Sequence, residues 1–259
     1  MTNLRGLHPD PGPGADAGHC ASGHGPGREK TNNCSSCSIR HLAMCAALPN
    51  QEMHALEGRS DHLTLAPGAM LVREGEPRKG VFTVTSGALR RIRLLPDGRR
   101  LVAGFLMPGD FIGFSGAAHY RHSIEAITDS ILCAFSMKDM RELCQRFPTL
   151  EHELLERACV ELDATRGNLM SLARMTPVER LAGFLMDMAA RRQRQGYVDG
   201  QVVLPMTRAD IADYLGLTVE TVSRSFTKLR QDGVIGADDP QRIKLLDRKR
   251  LEALAEARG

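Results

Sequence analysis

One stretch of this 259-residue chain limits its fold more than any other: Thr207 to Arg230, TRADIADYLGLTVETVSRSFTKLR. Thr207 is placed to N-cap a helix with Asp210 three residues on, and Ile211, Ala212 and Leu215 then share one apolar face. Gly216 ends that helix, because glycine accepts the left-handed conformation that closes a helix C-terminus. Thr218 caps a second helix whose Val222, Phe226 and Leu229 fall at three- and four-residue steps, with Gly233 placed to end it. Two short helices joined by a tight glycine-containing turn make a helix-turn-helix.

The polar side of the second helix sets what this motif can do. Glu220, Thr221, Ser223 and Arg224 occupy its exposed N-terminal turns, the part of such a helix that enters a DNA major groove. Arg reads guanine bidentately, Glu accepts from cytosine N4, and Ser reads either sort of base edge. Thr207, Arg208, Thr218 and Lys228 complete the candidate DNA-contacting set. The alternative is a helical hairpin with a merely solvated polar face; caps, turn and side-chain types together favour DNA.

Charge distribution agrees. From Arg174 onward there are 15 Lys and Arg against 12 Asp and Glu, which leaves 19 against 19 before it, so the net +3 lies wholly in the half with the helix-turn-helix. A phosphate backbone needs cations on the docking face, and Arg208, Arg224, Lys228, Arg230, Arg242 and Lys244 can supply them.

The segment also carries a resemblance. It is similar to the winged helix-turn-helix of the catabolite activator superfamily, and Glu220-x-x-Ser223-Arg224 resembles the base-reading set of the fumarate-and-nitrate-reduction (FNR) regulators. That branch implies a TTGAT-type half-site. The cyclic-AMP-binding branch usually has Arg immediately before that Glu, where this chain has Val219.

At this length two modest domains with separate cores are expected. No run approaches eighteen apolar residues and the first residues are Pro-, Gly- and His-containing, so neither a membrane span nor a signal peptide is expected, and the reading is cytoplasmic. Seven cysteines in such a chain point to metal or redox chemistry instead of a disulfide framework.

Residues 1–33 cluster Pro and Gly, hold almost no large apolar residue, and read as a disordered arm; His8, His19, Cys20 and His24 there read as polar filler. NCSSCSIRHLAMC follows, with Cys34, Cys37 and Cys45. A C-x2-C pair lets both sulfurs converge on one metal or cluster, and a third thiol extends the grip. A structural zinc site usually adds a second C-x2-C, which this chain lacks; an iron–sulfur cluster needs a fourth thiolate, from Cys20, Cys133, Cys144 or Cys159. C-x2-C-x7-C near the N-terminus is similar to the cluster-binding run of one FNR subgroup, whose fourth ligand lies on a distant sensor roll. Aligning GDFIGFSG and the strand after it brings that ligand onto Cys133 in SILCAF. Cys144 and Cys159 lie on helical patterns and read as small buried residues.

Residues 60–136 read as short strands broken by Gly and Pro at steps near ten residues, a small antiparallel barrel or roll. Glycines 68, 75, 87, 98 and 109 resemble those of the cyclic-nucleotide-binding roll, whose pocket needs an acidic residue for the ribose and an Arg for the phosphate. The alignment puts Phe114 and His122 at those two positions, while Arg121, one residue off, would point elsewhere on a strand. The fold is expected to be kept and cyclic AMP binding lost.

From Lys138 the period becomes helical. After Pro148 a longer helix carries Leu155, Ala158, Leu162, Thr165, Leu169 and Leu172 at alternating steps of three and four, a coiled-coil seam. A helix packed on its own domain is the alternative; the Ala and the Thr in the seam, which allow close approach, and the two-fold sites read by helix-turn-helix proteins favour a homodimer. Arg174 to Thr176 form a hinge, and Thr176-Pro177-Val178-Glu179 starts a helix ending by Gly196. Val202–Leu204 and Ile243–Leu246 supply wing strands, and a final helix runs from Asp247.

The expected architecture is α+β: a disordered arm (1–33), a sensor segment and antiparallel β-roll (34–148), a dimerisation helix and hinge (149–175), a winged helix-turn-helix (176–250) and a tail (251–259). The resemblance implies a homodimeric, oxygen-responsive transcription regulator with a [4Fe-4S] cluster on Cys34, Cys37, Cys45 and Cys133. Its partners would be palindromic double-stranded DNA and RNA polymerase, with DNA bound at low oxygen and released when air destroys the cluster. The alternatives are the same regulator with zinc or a dithiol switch at Cys34 and Cys37, or an iron–sulfur or zinc enzyme with an accessory DNA domain. No paired carboxylates or Ser-His-Asp set supports an enzyme.

Overall fold

The computed structural model describes residues 34–95, 97–115 and 117–256, and the side chains at 35 and 169–173 are not among those described. The arm expected over 1–33, with His8, His19, Cys20 and His24, lies outside these residues, as do the side chains of Leu169 and Leu172. Two compact units form: one runs to Arg93 and resumes over Gly104–Arg157, the other comprises Leu94–Ala103 and the chain from Ala158.

In the first unit four short 3-10 turns, Cys34–Ser36, Arg40–Leu42, Met44–Ala47 and Asn50–Glu52, lead to α1 (His54–Glu57). Eight strands follow, β1 (Asp61–Leu65), β2 (Met70–Val72), β3 (Gly80–Ser86), β4 (Leu89–Leu94), β5 (Arg100–Leu106), β6 (Phe111–Ile112), β7 (Ser123–Ala126) and β8 (Ser130–Ser136), of which Leu94 of β4 and Arg100–Ala103 of β5 are counted with the second unit. They make two four-stranded sheets, ordered β1-β8-β3-β6 and β2-β7-β4-β5. Period-2 alternation divides the strands' side chains. Phe82, Val84, Leu132 and Ala134 join Leu65, Leu89 and Ile124 in one core, while Val81 and Phe135 on the other face of β3 and β8 meet Met44, Leu48 and Leu56 in a second. Each fully buried Leu there contributes about 1.5–3 kcal/mol.

Helix α2 (Met137–Arg146) starts where Ser136 Oγ accepts from the Asp139 amide at 2.9 Å, and buries Met140 and Leu143 in that second core. Helix α3 (Pro148–Arg174) begins on its proline, buries Leu150 and packs Leu154 on the same core.

The second unit holds α4 (Pro177–Arg194), β9 (Gln201–Val203), α5 (Arg208–Leu215), α6 (Val219–Gln231), β10 (Ile235–Asp239), β11 (Arg242–Leu245) and α7 (Arg248–Ala255). The expected capping box at Thr176 and Glu179 forms and opens α4. The wing is a three-stranded sheet ordered β10-β11-β9, one strand more than the two expected. The extra strand, β10, is Ile235-Gly236-Ala237-Asp238-Asp239, which lacks an apolar run and is held by antiparallel pairing to β11. The final helix expected from Asp247 forms as α7, capped by Asp247, and buries Leu251.

Candidate functional site

The helix-turn-helix is built by local chemistry. Thr207 Oγ1 accepts from the Asp210 amide at 3.1 Å, and the Asp210 carboxylate accepts from the Thr207 amide at 3.1 Å, a reciprocal cap that fixes the start of α5. Arg100, on Leu94–Ala103 of the same unit, reaches the wholly buried Asp210 carboxylate at 2.8 Å. Gly216 takes φ +63° and lets the Leu217 amide bond back to the Ala212 carbonyl at 3.0 Å, which turns the chain into α6. Thr218 caps α6 by accepting from the Thr221 amide at 3.2 Å.

The apolar side of α6, Val222, Phe226 and Leu229, is buried, and Glu220, Ser223, Arg224 and Lys228 are exposed on the opposite side. Its own backbone amide, the Thr218 hydroxyl and the Arg224 charge hold the Glu220 carboxyl below its usual range. Thr221 is half-buried, its hydroxyl 3.0 Å from that of Thr218. The half-buried Arg208 stacks its guanidinium on the Phe226 ring at 3.4 Å and donates to the Pro240 carbonyl at 2.9 Å. Burial lowers its pKa to about 10. Lys228 pairs with Asp232 at 3.0 Å and Lys244 with Asp238 at 2.7 Å, exposed pairs worth about 0–1 kcal/mol that a phosphate can displace.

In the first unit the chain brings four separated cysteines into electrostatic reach of one another. Cys34, Cys37 and Cys45 sit on the 3-10 turns, which Arg40 fastens by donating to Asn50 Oδ1 and the Leu48 carbonyl. The Cys34 amide donates to Glu57 Oε1 at 2.9 Å and so ties the segment to α1. Gly109 is the close-approach point: at φ +97° a Cβ there would lie 2.7 Å from Leu42 Cβ, so only glycine lets this segment lie against the roll. Cys133 projects from β8 to the same side; burial, then the charges of Cys34, Cys37 and Cys45, push its thiol up to about 12. Burial, then Glu57 and the other two thiols, pushes Cys34 up to about 11, and Cys45 is raised chiefly by burial. Among the described residues no group of three or more His, Cys, Asp or Glu side chains is arranged so that it could hold a metal ion.

Three neighbours of this site escaped the sequence reading. His62 Nε2 lies 3.6 Å from Cys133 Sγ. Arg157, on α3, donates to the Gly109 carbonyl at 3.2 Å, and its charge acts on Cys45. Thr83 is buried with its hydroxyl unpartnered. All three depend on strand register or helix docking, for which spacing along the chain gives no signal.

Of the other cysteines, both expected to be buried, Cys144 is only half-buried, packed against the second core, and Cys159 is exposed because it lies on the outward side of α3. In the roll, Phe114 packs on Phe111 with ring centroids 4.6 Å apart and joins the second core; His122 is half-buried and Arg121 exposed. Along α3, Leu155, Leu162 and Thr165 are exposed and Ala158 is half-buried.

The cyclic nucleotide-binding domain family matches residues 62–147 and the Crp-like helix-turn-helix domain family residues 179–254. The nitrogen fixation regulation protein FixK of Bradyrhizobium diazoefficiens is 38% identical, over 86% of this chain and 94% of its own length. The transcriptional activator protein FnrL of Cereibacter sphaeroides is 34% identical, over 85% and 90%. The solved structure of FixK2 from Bradyrhizobium japonicum matches 75% of this chain and 96% of its own with a TM-score of 0.70 and 33% identity. A nucleotide-binding-type roll, a capped helix-turn-helix with a polar outer face, and relatives named as regulators and activators across most of its length place this chain in the Crp/Fnr family of DNA-binding transcription regulators.

Proposed function

We propose that this regulator responds to oxygen through a [4Fe-4S] cluster held by Cys34, Cys37, Cys45 and Cys133, as in the C-x2-C-x7-C subgroup of the FNR branch. The observation that carries this reading is the position of Cys133: a residue 88 positions from Cys45 in sequence lies within electrostatic reach of all three N-terminal thiols. The donor chemistry fits, since four thiols are available and such clusters are held by four thiolates. Bound there, the cluster would supply an oxygen-labile redox centre.

The chain's own residues provide the route outward. Arg157 joins the thiol site to α3 through the Gly109 carbonyl, and α3 carries the exposed Leu155 and Leu162. Those side chains suit a homodimer seam, and two recognition helices in a dimer read a palindrome, here of TTGAT type, from Glu220, Ser223 and Arg224. An activator of this kind would act on RNA polymerase. Cyclic AMP is not its signal, because Phe114 is committed to the core where a ribose acceptor is needed.

The experiment is purification without air followed by iron and sulfide assay. Equal iron and sulfide in a brown protein is the expected result; a colourless protein with zinc, or with free thiols alone, would replace the cluster by a zinc or dithiol switch.

A further inference from the structure

Among the described residues, one buried side-chain nitrogen or oxygen lacks a hydrogen-bond partner, and it is Thr83 Oγ1, on a residue only 3% exposed. A buried hydroxyl in a strand normally finds a carbonyl; even the half-buried Thr85, two residues on, donates to the Ile131 carbonyl at 2.8 Å. Thr83 is the direct cross-strand partner of Cys133 in the β3–β8 pairing, and directly opposed residues put their side chains on the same face of a sheet. His62 is the partner of Cys133 on the other side, in β1. The row His62, Cys133, Thr83 thus crosses three strands, with the fourth thiol at its centre and an unspent donor beside it.

We propose that Thr83 donates a hydrogen bond to a sulfur of the cluster site, the Cys133 sulfur or an inorganic sulfide next to it, and thereby makes the cluster harder to oxidise. The proposal rests on the cluster reading above. A neutral thiol is a weak acceptor, whereas a thiolate or sulfide bears charge and draws a donor strongly. Valine has the same shape and strand preference without an unmet polar group, so the hydroxyl has no packing role that valine would lack. Hydrogen bonds to cluster sulfurs stabilise the electron-richer state and raise the reduction potential. Thr83 keeps its proton throughout; the electron is exchanged with an added reductant or oxidant.

The test compares parent, Thr83→Val and Thr83→Ser proteins purified without air, with iron and sulfide content measured first. The Val variant is expected to carry the parent's iron and sulfide, to show a more negative reduction potential in a dithionite titration, and to lose its visible absorbance severalfold faster in air. The Ser variant should behave as the parent. A Val variant with full iron and sulfide and an unchanged potential overturns the role of Thr83 and leaves the cluster standing; a parent without iron and sulfide overturns both. Should Thr83→Val not fold, the iron–sulfur stretching bands of parent and Thr83→Ala carry the test on transfer to D2O. A smaller isotope shift in Thr83→Ala supports the hydrogen bond, and equal shifts refute it.

Discussion

The Asp210 carboxylate, wholly buried, accepts from the Thr207 hydroxyl at 2.7 Å while its other oxygen takes the Arg100 guanidinium at 2.8 Å. One side chain thus closes the cap of α5 and neutralises the charge it buries. Losing a cap costs about 0.5–2 kcal/mol, and breaking a buried ion pair about 3–5, discounted here because Arg100 is about a third exposed and keeps Asp213 at 3.3 Å. Asp210→Ala should therefore destabilise the second unit by about 2–3 kcal/mol, read as a lower midpoint in urea. A loss under about 0.5 kcal/mol, no larger than that of an exposed substitution, would show that the pair adds nothing.

Base readout is expected from the exposed residues Glu220, Ser223 and Arg224 of α6. Arg224→Ala should weaken specific binding by about 1–3 kcal/mol per half-site and relax specificity at one base position. Glu220→Ala should relax specificity at a different position. Lys228→Ala, which only frees Asp232 from an exposed pair, should weaken all sequences alike and flatten the salt dependence. Competition with scrambled operator separates the cases; equal losses on both DNAs for Arg224→Ala would make it a phosphate contact.

Cyclic AMP should neither bind nor tighten DNA binding. Phe114 cannot accept from a ribose hydroxyl, and a half-buried His122 is a poor substitute for a bidentate guanidinium. Calorimetry checks this, and micromolar binding coupled to tighter operator binding would reverse it.

Legibility in the sequence tracked the range of the interactions. The caps at Thr176, Thr207 and Thr218 and the turn at Gly216 were readable because each is settled within a few residues. The cysteine triplet was readable as a spacing, but Cys133 could be reached only through the family resemblance, since its meeting with the triplet depends on how the second core packs. Strand β10 was missed because pairing to β11, not side-chain pattern, makes it a strand. Arg208 was expected at DNA for its charge, and its stacking on Phe226 became visible only once α5 and α6 were packed. Thr83 read as an ordinary β-branched strand residue; its unmet hydroxyl is a property of register alone.

The seam of α3 is predicted to be marginal. Thr165 is exposed and its hydroxyl donates to the Glu161 carbonyl at 2.8 Å, so the seam can accept it, but it buries less apolar surface than leucine, where each added methylene contributes about 0.8 kcal/mol. Thr165→Leu should tighten the dimer and leave substantial DNA binding in air, because a population shifts only by the differential energy supplied. Thr165→Asp should weaken the dimer even without air, by setting two carboxylates together across the axis. Sedimentation and operator binding, with and without oxygen, read both. A demonstrably tighter Thr165→Leu dimer that stays as oxygen-sensitive as the parent would move the switch to a reorientation within a standing dimer.

Four thiols, the fourth being Cys133, are expected to hold the centre through which oxygen controls DNA binding. The most direct measurement is iron content together with operator affinity for the parent and for single Cys→Ser variants, each purified without air and then exposed to it. The parent should bind tightly and lose that affinity in air. Cys34→Ser, Cys37→Ser, Cys45→Ser and Cys133→Ser should lack the iron and bind weakly from the start, while Cys20→Ser, Cys144→Ser and Cys159→Ser follow the parent. A Cys133→Ser protein that keeps its full iron and its oxygen-dependent DNA binding would rule Cys133 out and move the fourth ligand elsewhere, first to Cys20.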